Sequence, residues 1–291
     1  MSSPEDLALK GEAVEEWIDL RFFRPVGIRI ARALQPSSIS ANQVTLWSLV
    51  VGLLAAHLFV YTSPWINALG FVLVVVADLL DSADGQLARL RGTASRRGRI
   101  LDGYADNLRW TFVYVHITLR LLLEGWGWPA LALAVVAGGG HSLHSAIVDF
   151  IQGAYLEIVA GKKGQIDLPE DLPEAQRGAS AGAPLWWRFG VAFYIGFARR
   201  QAWLFPRTVA LLRRSRAAGL ELELRARYAA RQRPLLFGCP WIGQNAHIGV
   251  LGIAAISGRP SFFLWATAIL MTLIGGILVL LHERAVRRLA A

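Results

Sequence analysis

Long apolar stretches alternate with polar connections along the chain, and six of them approach or exceed the roughly 20 residues that a helix needs to cross a bilayer. These stretches predict membrane-spanning helices near residues 43–61, 66–88, 102–123, 129–157, 236–257 and 261–282. We therefore expect an all-α, polytopic membrane protein that forms a single membrane domain over residues 1–291, with about six transmembrane helices.

An amphipathic segment precedes the first span. Residues 13–34 interleave apolar side chains with arginines and contain Pro25, which predicts a kinked helix in the membrane interface, within an N-terminal segment of residues 1–40. Ser40 and Gln43 are spaced as in a capping box, so the first span should begin there. Residues 1–40 lack the apolar core of a cleavable signal peptide, and we expect the first span to act as the insertion signal.

The connection between the fourth and fifth predicted spans, residues 161–234, is unusually long. It predicts a cytoplasmic or interfacial insertion. Residues 185–212 are apolar enough to suggest another span, but several arginines interrupt them, which favours helices on the membrane surface. The basic run at 213–233 favours a face that contacts water or lipid headgroups, with acceptor binding as the alternative.

Composition and charge agree with a membrane protein and suggest its orientation. Hydrophobic residues make up 54% of the chain, and its 11 tryptophans are of a type enriched at bilayer interfaces. The tight links at 62–65, 124–128 and 258–260 contain a single basic residue, Arg259, whereas the other connections and both tails are rich in arginine. The positive-inside rule then predicts cytoplasmic termini. The net charge of +9 favours attraction to anionic lipids over nucleic-acid binding.

Four carboxylates stand at the end of the second predicted span and the start of the third. Asp81 and Asp84 are three residues apart and Asp102 and Asp106 are four apart, so each pair projects from one face of its helix. Charges in a membrane segment need a compensating partner, and carboxylates suit hard cations such as Mg²⁺ or Mn²⁺. Paired metals are a known device for phosphoryl displacement. The pattern predicts phosphoryl transfer at the cytoplasmic face.

Small and basic residues accompany these carboxylates. Gly85, Ala88 and Gly98 leave room for a nucleotide or pyrophosphate to approach the backbone, and Arg89 offers a planar, charged fork for phosphate. The complete string is D-x2-D-G-x2-A-R-x8-G-x3-D-x3-D. It resembles the signature of the CDP-alcohol phosphotransferase family at every fixed position. The resemblance implies an integral membrane enzyme that moves a phosphoalcohol unit from a CDP-linked donor to a hydroxyl acceptor and releases CMP.

The same resemblance implies roles for individual residues. The metal ligands would be Asp81, Asp84, Asp102 and Asp106, holding two Mg²⁺ or Mn²⁺ ions that clamp the donor diphosphate. Arg89 would hold a phosphate oxygen, and Asp106 would accept the proton of the acceptor hydroxyl, so the catalytic residues implied are Asp102, Asp106 and Arg89.

Residues 36–45 resemble the P-x-x-I-[ST]-x-N-x-V-T pattern that precedes the first span in this family. The resemblance implies that Asn42 and Thr45 help to line the nucleotide pocket, and helix punctuation is the alternative interpretation. Asp78, one turn before the motif, would either orient a metal ligand or bond a polar group on another helix.

Two substrate assignments remain open. A lipid-linked donor such as CDP-diacylglycerol, which we favour, would react with a small polar alcohol, such as an inositol, glycerol or serine derivative, whose charge is recognised by arginines such as Arg96, Arg97 and Arg99. A CDP-linked headgroup would instead react with a lipid alcohol such as diacylglycerol, and His141 or His144 would become a candidate base. Packing within the fourth span is the simpler interpretation of both histidines.

A function of another class, a divalent-cation transporter or channel, would also place carboxylates in the membrane. Arg89 argues against it, because a fixed guanidinium beside the carboxylates repels cations but binds phosphate. The single cysteine, Cys239, excludes an intrachain disulfide framework and a cysteine metal site. Homodimers are common in the resembled family, and the sequence leaves the oligomeric state open.

Overall fold

The computed structural model describes residues 14–162, 164–172 and 183–289, and every regular element in these ranges is helical. The predicted all-α class is confirmed. The helices are α1 (Arg24–Leu34), α2 (Ala41–Leu58), α3 (Pro64–Leu90), α4 (Arg96–Leu123), α5 (Trp128–Ile158), α6 (Leu185–Leu204), α7 (Pro206–Ala218), α8 (Leu222–Leu236), α9 (Gln244–Ile256), α10 (Pro260–Trp265) and α11 (Thr272–Arg287).

Four helical runs of the described chain are long and apolar enough to cross a membrane: α2, α3, α5 and the continuous run from α10 to α11. The prediction of a multi-pass membrane protein is confirmed, and the count of six remains a prediction. The third predicted span corresponds to α4, which begins with a highly charged turn. The fifth was placed too early at residue 236, since Gly238 and Pro240 interrupt the chain and α9 begins at Gln244 with only 13 residues.

The described part of the N-terminal segment, residues 14–40, forms a distorted helix, and its interfacial position remains a prediction. A π-helical turn at Asp19–Phe23 leads directly into α1, and Pro25 occupies the first turn of that helix. Proline has no N–H to donate, so Pro25 cannot form the backbone hydrogen bond of a regular α-helix. The irregular turn lies next to this interruption. The predicted capping box at the start of α2 is also confirmed: the Ser40 N–H donates to Gln43 Oε1 at 2.7 Å, and the Gln43 N–H donates to Ser40 Oγ at 3.3 Å.

The chain divides into two compact units, and the first consists of the described part of Met1–Gly139 together with His247–Ala268. Its core joins α2, α4 and α10, with the ring of Tyr114 stacked on Phe263 at a centroid distance of 5.2 Å. The opposite face of α2 leaves Leu46, Val50 and Leu54 about half exposed. An exposed apolar face is what a helix in contact with lipid presents, so this face supports the membrane assignment.

Arg120 joins the tight links of the first unit. Its guanidinium donates to Glu124 at 2.8 Å, to the carbonyl of Tyr61 at 3.1 Å and to the carbonyl of Gly258 at 3.2 Å. The three links that the sequence assigns to one side of the membrane therefore lie at the same end of this unit. A buried guanidinium that makes several hydrogen bonds satisfies carbonyl groups that have no partner inside their own helix.

The second unit consists of the described part of Gly140–Ala246 together with Ile269–Ala291. Within it, Glu283 accepts hydrogen bonds from the backbone N–H of Arg207 at 2.9 Å and of Thr208 at 3.1 Å, which fixes the start of α7. Arg216 forms ion pairs with Glu157 at 2.6 Å and Asp171 at 2.7 Å. The insertion is thus attached to the long helices of its own unit, and its interfacial position remains a prediction.

Replacing Arg120 by alanine should destabilise the first unit. Loss of these hydrogen bonds should lower the free energy of unfolding by about 2 kcal/mol. This corresponds to a fall of roughly 5 °C in the thermal unfolding midpoint measured in detergent. The control is Arg259→Ala, which removes an exposed arginine from one of the same links. Equal midpoints for the two variants would contradict the assigned role of Arg120.

Candidate functional site

Three of the four motif carboxylates meet in the structure. Asp81 and Asp84 lie on α3 and Asp102 lies on α4, and one carboxylate oxygen from each is within 4.8 Å of the others. Helical spacing places the first two on one face of α3, as predicted. Asp84 is buried, and the other two are partly exposed.

This arrangement fits a divalent cation. Three carboxylates at such distances repel one another strongly in a site with little water, so a bound positive charge would stabilise the group. An all-oxygen donor set is the type that Mg²⁺ and Mn²⁺ prefer. The residues present are therefore chemically suited to the predicted metal.

Thr45 contacts this group directly. Its hydroxyl lies 2.5 Å from Asp84 Oδ2 and 3.2 Å from the carbonyl of Ala41, and the side chain is buried in α2. The family pattern implied that Thr45 lines a nucleotide pocket, and the structure also gives it a specific partner. A donor that holds one carboxylate oxygen fixes the orientation of the other, so Thr45 can set how Asp84 faces a metal.

Asn42 and Gly98, both predicted to bind substrate, are neighbours. A Cβ atom at Gly98 would lie 3.9 Å from Asn42 Oδ1 and 3.4 Å from Ser95 Oγ. Ser95 caps the start of α4 by accepting from the Gly98 N–H at 3.1 Å. The first turn of α4 therefore lies beside the first turn of α2, near the Asp102 end of the carboxylate group.

Arg89 folds back along its own helix over Gly85. A Cβ atom at Gly85 would lie 3.5 Å from Arg89 Nη1 and 3.7 Å from Nη2, so the guanidinium rests on bare backbone one turn earlier. The guanidinium of Arg89 attracts the carboxylates of Asp84 and Asp102 electrostatically. Ala88, the remaining small residue of the motif, is partly buried on the same helix. A phosphate near the carboxylates would meet this guanidinium.

Asp106 is placed differently from the other motif carboxylates. It lies outside the group of three and accepts a hydrogen bond from Arg109 on the same helix. The same guanidinium nitrogen lies 2.7 Å from Asp78 Oδ1. Asp78 therefore bonds a polar group on another helix, which is one of its two predicted roles, and Asp106 as a fourth metal ligand remains a prediction.

Sequence reasoning missed Arg91, which lies just beyond the motif. Its Nη1 donates to the carbonyl of Ile39 at 2.5 Å, and its Nη2 donates to the carbonyls of Leu34 at 2.6 Å and Ser37 at 2.8 Å. These contacts hold the end of α1 and the turn that leads into Asn42. Nothing in the sequence separates this arginine from its basic neighbours, because its partners are backbone carbonyls.

The remaining candidates lie in the second unit. His144 Nε2 is 3.1 Å from Thr272 Oγ1, and both His141 and His144 are buried, which supports the packing interpretation. In the basic run, Arg213 is exposed and pairs with Glu170 at 2.6 Å. Its hydrogen bonds lower the pKa of the Glu170 carboxyl from the ordinary value. Arg213 is thus paired within the insertion itself.

Comparison with known proteins extends the resemblance seen in the motif. A sequence profile of the CDP-alcohol phosphatidyltransferase family matches residues 38–164, which include every motif residue and all of α2 to α5. The matched segment therefore ends close to the start of the insertion.

Two relatives are similar to this chain. One is the bifunctional IPC transferase and DIPP synthase of Rubrobacter xylanophilus, 32% identical over 149 residues, which are 47% of this chain and 33% of that protein. The chain thus spans about a third of the length of this relative. The other is the archaetidylinositol phosphate synthase of Pyrococcus horikoshii, 34% identical over 137 residues, which are 47% of this chain and 70% of that protein. With the motif complete, the chain belongs to the CDP-alcohol phosphatidyltransferase family.

Proposed function

We propose that this protein transfers a phosphatidyl group from a lipid-linked CDP donor, such as CDP-diacylglycerol, to the hydroxyl of a small polar alcohol and releases CMP. The observation that carries the proposal is the meeting of Asp81, Asp84 and Asp102 within an intact family motif. The adjacent guanidinium of Arg89 favours a phosphate ligand over a permeating cation. Transfer of a CDP-linked headgroup to a lipid alcohol is the alternative within the same chemistry.

An inositol derivative is the acceptor that we propose first. One relative is an archaetidylinositol phosphate synthase, so its name combines a lipid with an inositol phosphate. In this chain Arg96, Arg97 and Arg99 lie in the first turn of α4. Positive side chains oppose the helix dipole at that end, so their presence is better explained by an anionic ligand than by helix stability. A phosphate on the acceptor would accept hydrogen bonds from these guanidinium groups.

Asp81, Asp84 and Asp102 would hold Mg²⁺ or Mn²⁺. The motif implies a second ion, for which Asp106 would be a further ligand. Bound ions would neutralise the charge of the diphosphate and of the departing CMP. Thr45 would keep Asp84 in its ligating orientation, and Arg89 would bind a phosphate oxygen. Gly85 and Gly98 would let the donor approach the backbone, beside Asn42 and Ala88.

The group transfer itself requires one proton acceptor. The acceptor oxygen forms a bond to the phosphorus that carries the lipid, the bond from that phosphorus to the bridging oxygen of CMP breaks, and the hydroxyl proton passes to Asp106. Positioning of donor and acceptor would contribute much of the acceleration, because carboxylates near metals are weak bases.

We also propose that this site and both termini face the cytoplasm. α3 starts near the tight links that Arg120 joins and carries Asp81 seventeen residues further on, which is about 25 Å along a helix. The motif and the arginine-poor links therefore lie at opposite ends of the first unit. The polar acceptor and the CDP headgroup of the donor would reach the motif from the side with the basic connections.

Purified protein in nanodiscs should release CMP only when metal, donor and acceptor are all present. We expect CDP-diacylglycerol with inositol or inositol phosphate to react, and CDP-choline with diacylglycerol to give no CMP. Reaction of the second pair alone would reverse the assignment of the lipid to the donor. Absence of CMP with both pairs and with pooled polar alcohols would contradict the proposed function.

Variants should show that turnover depends on the carboxylate site and not on the Arg213–Glu170 pair of the insertion. Asp81→Asn and Asp102→Asn should abolish CMP release and weaken Mn²⁺ binding, because each removes a ligand of the same group. Arg213→Ala should leave turnover close to that of the wild type, since its partner Glu170 belongs to the insertion. Normal turnover by either aspartate variant would refute the assigned metal site.

The Thr45 hydroxyl can be tested with an isosteric pair of variants. Thr45→Val keeps the shape but loses the donor to Asp84, so the Mg²⁺ concentration for half-maximal turnover should rise by about 10–100-fold, the usual range for partners of metal ligands. Thr45→Ser keeps the hydroxyl and should respond like the wild type. The same metal dependence in both variants would show that the hydroxyl does not act through Asp84.

A further inference from the structure

Helix α6 of the insertion carries two stripes of side chains on opposite faces. The inner stripe packs against its own unit and has the spacing of one helix face: Val191, Tyr194, Ala198 and Gln201. The outer stripe has the same spacing, and three of its side chains are more than half exposed: Trp186 (52%), Phe189 (64%) and Trp203 (77%). A helix with large apolar side chains on its outer face needs an apolar environment on that side.

The contacts of the inner stripe place the end of α6 beside a segment of α5, one of the helices suited to cross a membrane. Gln201 Nε2 donates to the carbonyl of Ala146 at 3.2 Å and to Asp149 Oδ2 at 2.8 Å. With 31 residues, an upright α5 is about 46 Å long, which exceeds the apolar thickness of a bilayer by roughly 16 Å. Ala146 lies about 18 Å and Ser142 about 24 Å before the end of α5 at Ile158. Both are therefore within the apolar thickness even if the whole excess projects at that end.

Arg200 belongs to the outer stripe, and its printed contacts are neutral. Its Nη2 donates to Ser142 Oγ at 3.1 Å, and its Cζ lies 5.7 Å from the ring centroid of Phe193 and 5.9 Å from that of Phe197. In the part of the chain that the structure describes, no carboxylate pairs with this guanidinium. A hydroxyl and two rings leave most of its N–H groups without an acceptor.

Two arginines of α7 differ from Arg200 in this respect. Arg213 pairs with Glu170, and Arg216 pairs with both Glu157 and Asp171. The insertion therefore supplies carboxylates to arginines on α7 but none to the arginine that lies among aromatic side chains on α6. A guanidinium next to lipid is unfavourable without an anion, so the missing partner is expected to come from outside the chain.

We propose that α6 lies in the leaflet at the Ile158 end of α5 and that Arg200, together with Ser142, binds the phosphate of a phospholipid headgroup. The outer stripe would contact acyl chains, and the long side chain of Arg200 would extend along it to the phosphate. Trp186 and Trp203 are of the type enriched at membrane interfaces. The inference does not depend on the proposed reaction, because it concerns the insertion alone.

Native mass spectrometry of the purified protein in detergent, titrated with phosphatidylglycerol, tests the role of the charge. Arg200→Gln should weaken binding of the first lipid by about fivefold, the loss expected for one arginine at a membrane surface. The control is Arg199→Gln, which removes the exposed neighbouring arginine and should bind like the wild type. Arg200→Lys should keep part of the affinity, because it retains a cation. Equal affinities of wild type, Arg200→Gln and Arg199→Gln at equal thermal midpoints would overturn the proposal.

Soluble phosphates distinguish a lipid from a free anion at the same site. Inorganic phosphate and glycerol 3-phosphate, added in large excess over phosphatidylglycerol, should leave the first lipid bound. Displacement by either compound would show that Arg200 binds a soluble phosphate, and the lipid assignment would be wrong.

The position of α6 is tested with a nitroxide attached through Phe189→Cys, in a Cys239→Ala background because Cys239 is the single native cysteine. In nanodiscs, oxygen, which concentrates in lipid, should relax this label more strongly than a water-soluble nickel chelate does. A label attached through Arg213→Cys, at an exposed position of α7, should show the reverse order. Stronger relaxation by nickel at position 189 would place the outer stripe in water and contradict the proposal.

Discussion

Mutual repulsion among carboxylates is the constraint on which this structure depends. Asp81 and Asp84 lie in the last turns of α3, a helix long and apolar enough to cross a membrane, and Asp102 of α4 lies close to both. Each uncompensated charge is unfavourable in such surroundings. Compensation comes in two forms. Asp84 accepts a hydrogen bond from the Thr45 hydroxyl. The nearby carboxylates of Asp78 and Asp106 both form ion pairs with the guanidinium of Arg109. The three-carboxylate group remains suited to a divalent cation.

Helix α2 organises this balance although it carries none of the motif. It packs against both α3 and α4, and its Thr45 contacts the Asp84 carboxylate. At Gly52 of α2, the aliphatic stem of Arg109 lies against bare backbone. Its start is fixed by its own capping box and, through the preceding turn, by Arg91. The geometry of the site therefore depends on residues before and after the motif as much as on the motif itself.

The sequence predicts much of this arrangement because the relevant signals are local. Helical spacing, a capping box and apolar length place the carboxylates on two adjacent helix ends, and the family pattern adds Asn42 and Thr45. Contacts between distant positions leave no such signal. The partners of Arg91 are backbone carbonyls. The stem of Arg109 lies against Gly52, which is 57 positions away in the sequence, and one guanidinium nitrogen of Arg109 contacts both Asp78 and Asp106. The late start of α9 shows the same limit, since apolar composition extends past the break at Gly238 and Pro240.

The central claim is that a divalent cation binds to Asp81, Asp84 and Asp102. An X-ray structure from crystals grown with Mn²⁺, with anomalous difference density to locate the ion, tests this most directly. We expect density within coordination distance of oxygens from Asp81, Asp84 and Asp102. Density only at other residues, away from all three carboxylates, would contradict the proposed site.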